Sequence, residues 1–302
     1  PAPRGEGTMI TIMGARGNTG AAVAARLHEA GEKVRIIGRS VEHLEIMSKH
    51  GIEPTAGDVT DAGFLATAFR GAEAVYALIP PAYDEPDQLG HYARVTAAIA
   101  EAIRKNRTPR VVFLSSLGAE QPAGTGPIVG LHRAEERLLE LPGLHLLILR
   151  PGYFYENHFA TLGLIKARGV DGGAIAPDVP VPTIAAADIG AFAADALRAR
   201  AFTGTTVRQL LGPRDLTMRE TARILGARVG RPGLDYVQVP DSDFVQGLVA
   251  MGFAEPVARA FLEMAHALSA GRVAPLPDYD VWRGPTTFEE FSATLAEAYR
   301  EL

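Results

Sequence analysis

The chain contains no cysteine among its 302 residues. Disulfide bonds, thiolate metal sites and a cysteine nucleophile are therefore excluded. The eight histidines show no H-E-x-x-H or similar spacing of ligands, so we expect no metal site. No run of eighteen apolar residues occurs, and the sequence thus predicts no membrane-spanning helix.

An excess of positive charge is also lacking. The net charge is -5, which excludes the basic field with which proteins hold nucleic acid regardless of its sequence. The first residues, PAPRGEGT, include no apolar stretch of the kind found in secretory signals, and we interpret residues 1–8 as a disordered lead. We expect a cytoplasmic protein with a small-molecule substrate, and a protein partner or a homodimer stays open.

Short apolar runs alternate with amphipathic segments through the first half of the chain. The runs VVFLSS and LHLLILR are apolar on both faces, as strands covered by helices on both sides must be. We predict strands at 9–13, 34–37, 53–56, 74–79, 111–115 and 144–149, and helices at 21–30, 41–50, 62–69, 89–105 and 131–141. This alternation predicts an α/β fold, a Rossmann-type doubly wound parallel sheet.

The alternation changes after Arg150, where aromatic, glycine-rich and proline-rich segments follow. We place the Rossmann domain at 9–155 and expect it to be rejoined by about 184–215. A smaller, mostly helical C-terminal substrate lobe is predicted at 156–183 and 216–302.

A glycine-rich turn, GARGNTG, follows the first predicted strand. Glycines between a strand and a helix let an anion approach the backbone, and the helix dipole favours it. A tight strand-to-helix turn is the alternative explanation, but the repeating β-α pattern around it favours a dinucleotide site. The residues assigned to the cofactor here are Gly14, Arg16, Gly17, Asn18, Thr19 and Gly20.

The end of the second predicted strand indicates which dinucleotide is bound. Chains that bind NAD usually carry Asp or Glu there, but this chain reads RIIGRS, with Arg39 at that position and Ser40 after it. A guanidinium suits the 2′-phosphate of NADP(H), and Arg16 can reach the same phosphate. The alternative interpretation is that both arginines are solvated surface residues without a ligand. We predict NADP(H) as the cofactor.

Other cofactor contacts follow from the ends of later strands. Asp58 and Val59 are predicted beside the adenine, and Asp58 could equally cap the helix that begins near Asp61. The segment ALIPPA is predicted along the ribose and pyrophosphate, through Ile79, Pro80 and Pro81.

The blocks GARGNTG, FLSSLGA, HRAEERL, LRPGYFYEN and DIGAFAADAL carry a resemblance to a known family. Over about Met9 to the C-terminal TTFEEF helix, the chain resembles the NmrA-like family of atypical short-chain dehydrogenases/reductases. The resemblance implies an NADP(H)-binding Rossmann protein. Some members of the family reduce quinones, dyes or phenylpropanoids, and others sense the cofactor and regulate a partner.

Ordinary short-chain dehydrogenases use a Tyr-x-x-x-Lys pair to pass a proton to a carbonyl. No tyrosine of this chain has a lysine four residues further on, and Ile128 and His132 stand at the two expected places. The standard relay is therefore absent. We predict that His132 contacts the cofactor and, with Ser116, serves catalysis, while Ser115 contacts the cofactor. The alternatives are a helix histidine bonded to a backbone carbonyl and serines that cap the sheet edge.

The segment RPGYFYEN is predicted to surround the nicotinamide and the substrate. The cofactor assignments are Pro151, Gly152, Tyr153 and Phe154, and the substrate assignments are Tyr155, Asn157, Phe244 and Leu248. An aromatic core between the lobes is the alternative for these rings, since helically spaced apolar residues are more often core than pocket.

Together these features predict an NADP(H)-dependent oxidoreductase. Its acceptor is expected to be small, largely apolar and conjugated, such as a quinone, an enone, an imine or a polyketide-like compound. Direct hydride transfer would need no Tyr-x-x-x-Lys relay. An NADP(H)-sensing regulator of a protein partner, or a non-redox cyclase or dehydratase that uses the same pocket, is the alternative.

Overall fold

A computed structural model describes residues 8–40 and 51–302. The predicted helix at 41–50 and nearly all of the predicted lead lie outside this part of the chain. The strands of the described residues are, in chain order, β1 (Met9–Met13), β2 (Lys33–Gly38), β3 (Glu53–Ala56), β4 (Ala72–Ala77), β5 (Arg110–Leu114), β6 (His145–Pro151), β7 (Tyr153–Phe154), β8 (Asp171–Gly173), β9 (Thr183–Ile184), β10 (Thr205–Leu211), β11 (Tyr236–Gln238) and β12 (Val281–Arg283).

The helices connect these strands or follow them. A 3-10 helix spans Tyr155–Thr161, and the α-helices are α1 (Asn18–Glu29), α2 (Ala62–Ala68), α3 (Gln88–Asn106), α4 (Ile128–Leu139), α5 (Leu162–Arg168), α6 (Ala186–Ala199), α7 (Met218–Arg228), α8 (Asp241–Ala250), α9 (Glu255–Ser269) and α10 (Phe288–Glu301). None of the described helices is both long and apolar enough to cross a membrane.

Eight strands form one sheet in the order β12-β10-β6-β5-β4-β1-β2-β3. All neighbours in this sheet pair in parallel. The strand order reverses between β1 and β4, and in such sheets a crevice for ligands opens at the carboxyl ends of the strands at this point. The predicted α/β fold with a Rossmann-type parallel sheet is confirmed.

Helices cover both faces of the sheet, as the doubly apolar strands require. One buried cluster joins the sheet to α2, α3 and α4, through side chains such as Leu65, Ile99 and Leu138. On the opposite face, α1 and α6 pack against the strands and against each other. Small residues allow that close approach, because a Cβ atom added to Gly190 would collide with Ala22.

The second lobe has its own core, built by the 3-10 helix, α5, α7, α9 and α10. A small parallel sheet, β8 with β11, lies beside it. The segment Val281–Arg283, which the sequence placed in this lobe, instead pairs with β10 as the outer strand of the main sheet. The predicted boundaries between the two lobes stay a prediction.

Candidate dinucleotide and acceptor site

The glycine-rich turn joins β1 to α1 at the point where the strand order reverses. Gly14 has φ +67°, a left-handed conformation that favours glycine, and its carbonyl accepts a 2.8 Å hydrogen bond from the amide of Gly17. A Cβ atom on Gly20 would collide with the carbonyl of Gly14, whereas one on Gly17 would lie 3.3 Å from it. Two of the three glycines are therefore required by the turn itself, and Gly17 is exposed.

Helix α1 begins without a side chain that satisfies its first amides. Its N-cap is Gly17, which offers no side-chain oxygen, and no acidic residue lies in the first turn. By contrast, Asp61 and Thr217 cap α2 and α7 through their side chains. The first amides of α1 thus stay available to an anion, which the positive end of the helix dipole favours.

The two arginines predicted for the 2′-phosphate are both exposed. Arg16 lies within the glycine-rich turn, and Arg39 directly follows β2, the strand next to β1 in the sheet. Neither guanidinium forms an ion pair with another described residue. Ser40 is partly exposed, and Asn18 is exposed at the first position of α1. The side chain of Thr19 is buried, so only its backbone could contact a ligand.

Asp58 lies after β3 and does not cap α2. Its carboxylate accepts a 2.8 Å hydrogen bond from the amide of Thr60, and this bond lowers the pKa of Asp58. The cap of α2 is Asp61, whose carboxylate accepts hydrogen bonds from Gly63 and Phe64. The alternative capping role of Asp58 is therefore wrong, and its exposed side chain and partly exposed Val59 stay available for the predicted adenine contact.

The segment after β4 mixes buried and exposed residues. Ile79 is 8% exposed and belongs to the core beneath the sheet, so its side chain does not line the crevice. The predicted contact of Ile79 can therefore involve only its backbone. Pro80 and Pro81 are more exposed, and the carbonyl of Pro80 accepts a 3.1 Å hydrogen bond from Nε2 of His91.

A buried ion network lies at the carboxyl ends of β5 and β6. Arg150 donates to both carboxylate oxygens of Glu135, at 3.0 and 2.5 Å, and to Glu120 at 3.3 Å. Arg150 and Glu135 are 5% and 4% exposed. Burial disfavours the charge of Arg150, but the two carboxylates outweigh it and raise the pKa of the guanidinium.

Ser115 belongs to this network. Its hydroxyl donates a 2.5 Å hydrogen bond to Glu135, and the residue is 5% exposed. Because a hydroxyl has a single hydrogen to donate, Ser115 cannot donate to a ligand at the same time. The predicted cofactor contact does not fit this side chain, since Glu135 holds it in the interior.

The two residues assigned to catalysis lie close to this network along the chain. Ser116 is partly exposed, and its hydroxyl donates to the carbonyl of Leu117 at 2.9 Å. Nδ1 of His132 lies 2.8 Å from the carbonyl oxygen of Ala119, while Nε2 lies 3.5 Å from Glu136. A carbonyl only accepts, so Nδ1 donates this hydrogen bond, while Nε2 faces the carboxylate of Glu136. Both catalytic roles stay predictions.

The RPGYFYEN segment serves partly as packing. A Cβ atom on buried Gly152 would lie 2.5 Å from the carbonyl oxygen of Pro182, so the approach of another backbone segment already requires this glycine. Pro151 is buried, and Phe154 packs against the core between the sheet, α1 and α6. Tyr153 as a residue is partly exposed. Its phenol group is buried, and this burial raises the pKa of the phenol.

Of the four predicted substrate contacts, Tyr155 is corrected by the structure. It is 1% exposed, and its ring lies 5.2 Å from that of Phe288 and 5.5 Å from that of Phe291. Its hydroxyl donates to the carbonyl of Thr286 at 3.3 Å. Tyr155 is part of the core because α10 returns to cover it, so it has no surface to offer a substrate.

The other predicted substrate contacts keep some accessible surface. Asn157 is exposed, and Phe244 and Leu248 are partly exposed on α8. Phe244 also packs against the core of the second lobe. No cluster of three or more potential metal ligands occurs between residues 8 and 40 or between 51 and 302.

With this geometry in view, comparison with known proteins identifies the family. The model of the NmrA-like family matches residues 6–292. The chain belongs to the NmrA-like family. A curated relative from Streptomyces griseus subsp. griseus, named (4-alkanoyl-5-oxo-2,5-dihydrofuran-3-yl)methyl phosphate reductase, is 31% identical over 294 residues, which cover 96% of this chain and 99% of the relative.

Solved structures of other reductases share the NmrA-like chain's fold. The NADPH complex of an NADPH-dependent quinone oxidoreductase from Escherichia coli has a TM-score of 0.80 at 22% identity, and the match covers 95% of this chain and 99% of that one. The NADP(H) complex of a triphenylmethane reductase from Citrobacter sp. has a TM-score of 0.78 at 20% identity, and the match covers 96% and 99%.

Sequence reasoning missed two features of this NmrA-like protein. The first is the pair Glu135 and Arg150, although a charged residue at the end of the apolar run LLILR is a signal that could have indicated a buried partner. The second is a contact of Tyr83 with Phe253 and Phe261, which carried no signal because Tyr83 lies far from the other two in the sequence.

Proposed function

We propose that this chain is an NADP(H)-dependent oxidoreductase that reduces a small, conjugated acceptor. The observation that carries the proposal is the uncapped start of α1 at the point where the strand order reverses, with exposed Arg16 in the preceding turn and exposed Arg39 directly after the neighbouring strand β2. The amides of α1 can bind a pyrophosphate. Arg16 and Arg39 can bind the negatively charged 2′-phosphate of NADP(H), whereas NAD(H) has an uncharged hydroxyl at that position.

The names of the related proteins support this proposal, because they describe reductases of conjugated compounds. The Streptomyces relative is by name a reductase whose substrate has a ring C=C bond beside carbonyl groups. The Escherichia coli and Citrobacter proteins are by name a quinone oxidoreductase and a triphenylmethane reductase, each solved with NADPH or NADP(H). Quinones, enones and cationic dyes share an electron-poor conjugated centre. We assign this class of acceptor to the chain.

NADPH, when bound, supplies a hydride to such an acceptor, and solvent can supply the proton. The residues of this chain then bind and orient the two molecules. The amides of α1 and the two arginines hold the phosphates, while Ser116 and His132 lie on the loop and helix that follow β5. His132, held through Nδ1 by the carbonyl of Ala119, presents Nε2 for a hydrogen bond with a ribose or substrate hydroxyl.

The test is the oxidation of NADPH by the purified chain with a panel of quinones, enones, imines and, as a control, an unconjugated ketone. We expect turnover with at least one conjugated acceptor, faster with NADPH than with NADH, and none with the ketone. An absence of turnover with every acceptor would exclude the redox function. Capture of a protein partner that depends on NADPH would then favour the regulatory alternative.

A further inference from the structure

Three aromatic side chains meet across the edge of the sheet, and we call Tyr83, Phe253 and Phe261 the aromatic clasp. The ring centroids of Tyr83 and Phe253 are 4.4 Å apart with an interplanar angle of 24°, a stacked arrangement. Phe261 meets both rings edge-on, at 5.9 Å from Tyr83 and 5.6 Å from Phe253. The amide of Ala254 donates a 2.8 Å hydrogen bond to the carbonyl of Tyr83.

The clasp lies outside the main hydrophobic clusters of the described residues. Tyr83 is 42% exposed even though it is stacked. Exposed apolar patches are found at ligand-binding grooves and other interaction sites.

The two sides of the clasp come from distant parts of the chain, Tyr83 from the half that builds the sheet and Phe253 and Phe261 from the second lobe. Tyr83 lies between β4 and α3, on the loop that leaves the carboxyl end of β4 next to the glycine-rich turn. Phe253 and Phe261 come from the turn before α9 and from α9 itself. Helix α9 also packs on the loop after β5, because a Cβ atom on Gly126 would collide with the carbonyl of Ala260.

The clasp therefore spans the space above the ends of β4 and β5. A planar conjugated molecule has the shape and the π-surface to stack on a phenol ring in the way that Phe253 does here. A tyrosine phenol is neutral near pH 7, so the Tyr83 hydroxyl can donate a hydrogen bond to a carbonyl.

We propose that the aromatic clasp is the acceptor-recognition surface of the crevice, and that a planar conjugated acceptor inserts beside Tyr83 in place of Phe253. The class of ligand rests on the proposed function. The clasp would open to admit the acceptor and would favour flat molecules over bulky saturated ones.

The first test measures binding of a planar naphthoquinone, menadione, to the chain in the presence of NADP⁺ by calorimetry. We expect Tyr83→Ala to weaken binding about three- to tenfold, and Tyr83→Phe to retain most of the affinity. The matched control is Trp282→Ala, which removes another aromatic pair, 5.1 Å from Phe192, at the far edge of the sheet. Unchanged binding by Tyr83→Ala, or equal weakening by Trp282→Ala, would overturn the proposal.

The second test locks the clasp and uses the absence of cysteine from the chain. The double variant Asp84→Cys, Ala254→Cys keeps all three rings and introduces thiols beside the hydrogen bond that joins the two segments. A disulfide, or a short bismaleimide link, should hold the clasp closed and exclude menadione, and reduction of the disulfide should restore binding. A linked protein that binds menadione as tightly as the unlinked one would contradict the proposal.

These measurements separate the clasp from the redox function. If no acceptor is turned over but menadione binds in a manner that depends on Tyr83, the redox function fails and the clasp stands. If NADPH is oxidised and Tyr83→Ala leaves the KM for menadione unchanged, the redox function stands and the clasp fails.

Discussion

The two ends of the proposed crevice differ in whether their charged groups are paired within the chain. At the nucleotide end, the glycine-rich turn presents backbone amides and the exposed side chains of Arg16 and Arg39, without an ion pair to another described residue. At the acceptor end, Ser115, Glu135 and Arg150 satisfy one another in the interior. The first group of residues is left for a ligand, while the second is occupied by the chain itself.

Because of this difference, we expect the nucleotide end to control the affinity for the ligand and the buried network to control the stability of the fold. Removing a charge from the nucleotide end should change ligand binding and leave folding nearly intact, because exposed charges contribute little to stability. Removing one from the buried network should destabilise the fold, because its partner is left as an uncompensated charge. Single substitutions at the two ends can test this separation.

Arg150→Met should give the largest loss. Glu135 would be left buried without its cation, and we expect the free energy of unfolding to fall by about 3–5 kcal/mol. Denaturant unfolding measures this loss. The double variant Arg150→Met, Glu135→Gln should recover part of it, since no unpaired charge remains.

The matched control for the buried pair is Arg259→Met, which breaks an exposed ion pair with Glu255. Its cost should be at most about 0.5 kcal/mol. If the two single variants destabilise the protein equally, the buried network has no special role and the contrast between the two ends fails.

Arg39→Asp should weaken NADPH binding by about 1.5–3 kcal/mol, a factor of roughly ten to a hundred or somewhat more. NADH binding should be similar or improved, because NADH has no 2′-phosphate to repel the new carboxylate. The double variant Arg16→Ala, Arg39→Ala should approach equal affinity for both dinucleotides. Calorimetric titration with each dinucleotide measures these affinities.

Folding supplies the control for that experiment. Arg39→Asp should leave the denaturant midpoint nearly unchanged, because the guanidinium has no partner among the described residues that its loss would strand. Equal affinity of the unmodified chain for NADH and NADPH, or equal effects of Arg39→Asp on both, would contradict the assignment of the phosphate site.

His158 extends the comparison to a buried group of the second lobe that has an unpaired nitrogen. It is 5% exposed, its Nε2 has no hydrogen-bond partner among the described residues, and burial lowers its pKa to about 4. Below the unfolded value of about 6.5, the unfolded chain takes up a proton that the folded chain refuses, so stability is lost as the pH falls toward 4.

His158→Phe should remove this loss. Between pH 7 and pH 5, we expect the unmodified chain to lose about 2 kcal/mol more than the variant, since one pKa unit corresponds to about 1.4 kcal/mol. The ring of Phe288, 5.0 Å away, offers an apolar neighbour to the new side chain. Parallel pH profiles of the two proteins in denaturant unfolding would refute this role for His158.

The smallest effect is expected from His132→Gln. The variant loses the 2.8 Å hydrogen bond to Ala119, and the cost in stability should be about 0.5–1.5 kcal/mol. If His132 also contacts the cofactor or the acceptor, kcat/KM with NADPH should fall by more than this stability change explains at a pH where both proteins are folded. Steady-state kinetics on the two folded proteins would decide, and an unchanged kcat/KM would leave His132 a purely structural residue.

Sequence reasoning succeeded where the information is local. The strands predicted at 9–13 and 53–56 have the bounds that the structure shows, and the other predicted strands of the Rossmann half differ by a few residues at most. Tyr155 was misplaced for the opposite reason. Its surroundings are decided by Phe288 and Phe291, more than a hundred residues away, and an aromatic residue after a strand looks the same in either setting.

The sequence by itself determined the parallel sheet, the strand-to-helix turn and the arginine at the end of the second strand. Each of these depends on periodicity or spacing within a few neighbouring residues, which the chain carries before it folds. Only the tertiary structure decided that Glu135 pairs with Arg150, that Val281–Arg283 joins the main sheet, and that Tyr83 meets Phe253. These contacts depend on which distant segments pack together, because burial and the pairing of charges are properties of the assembled core.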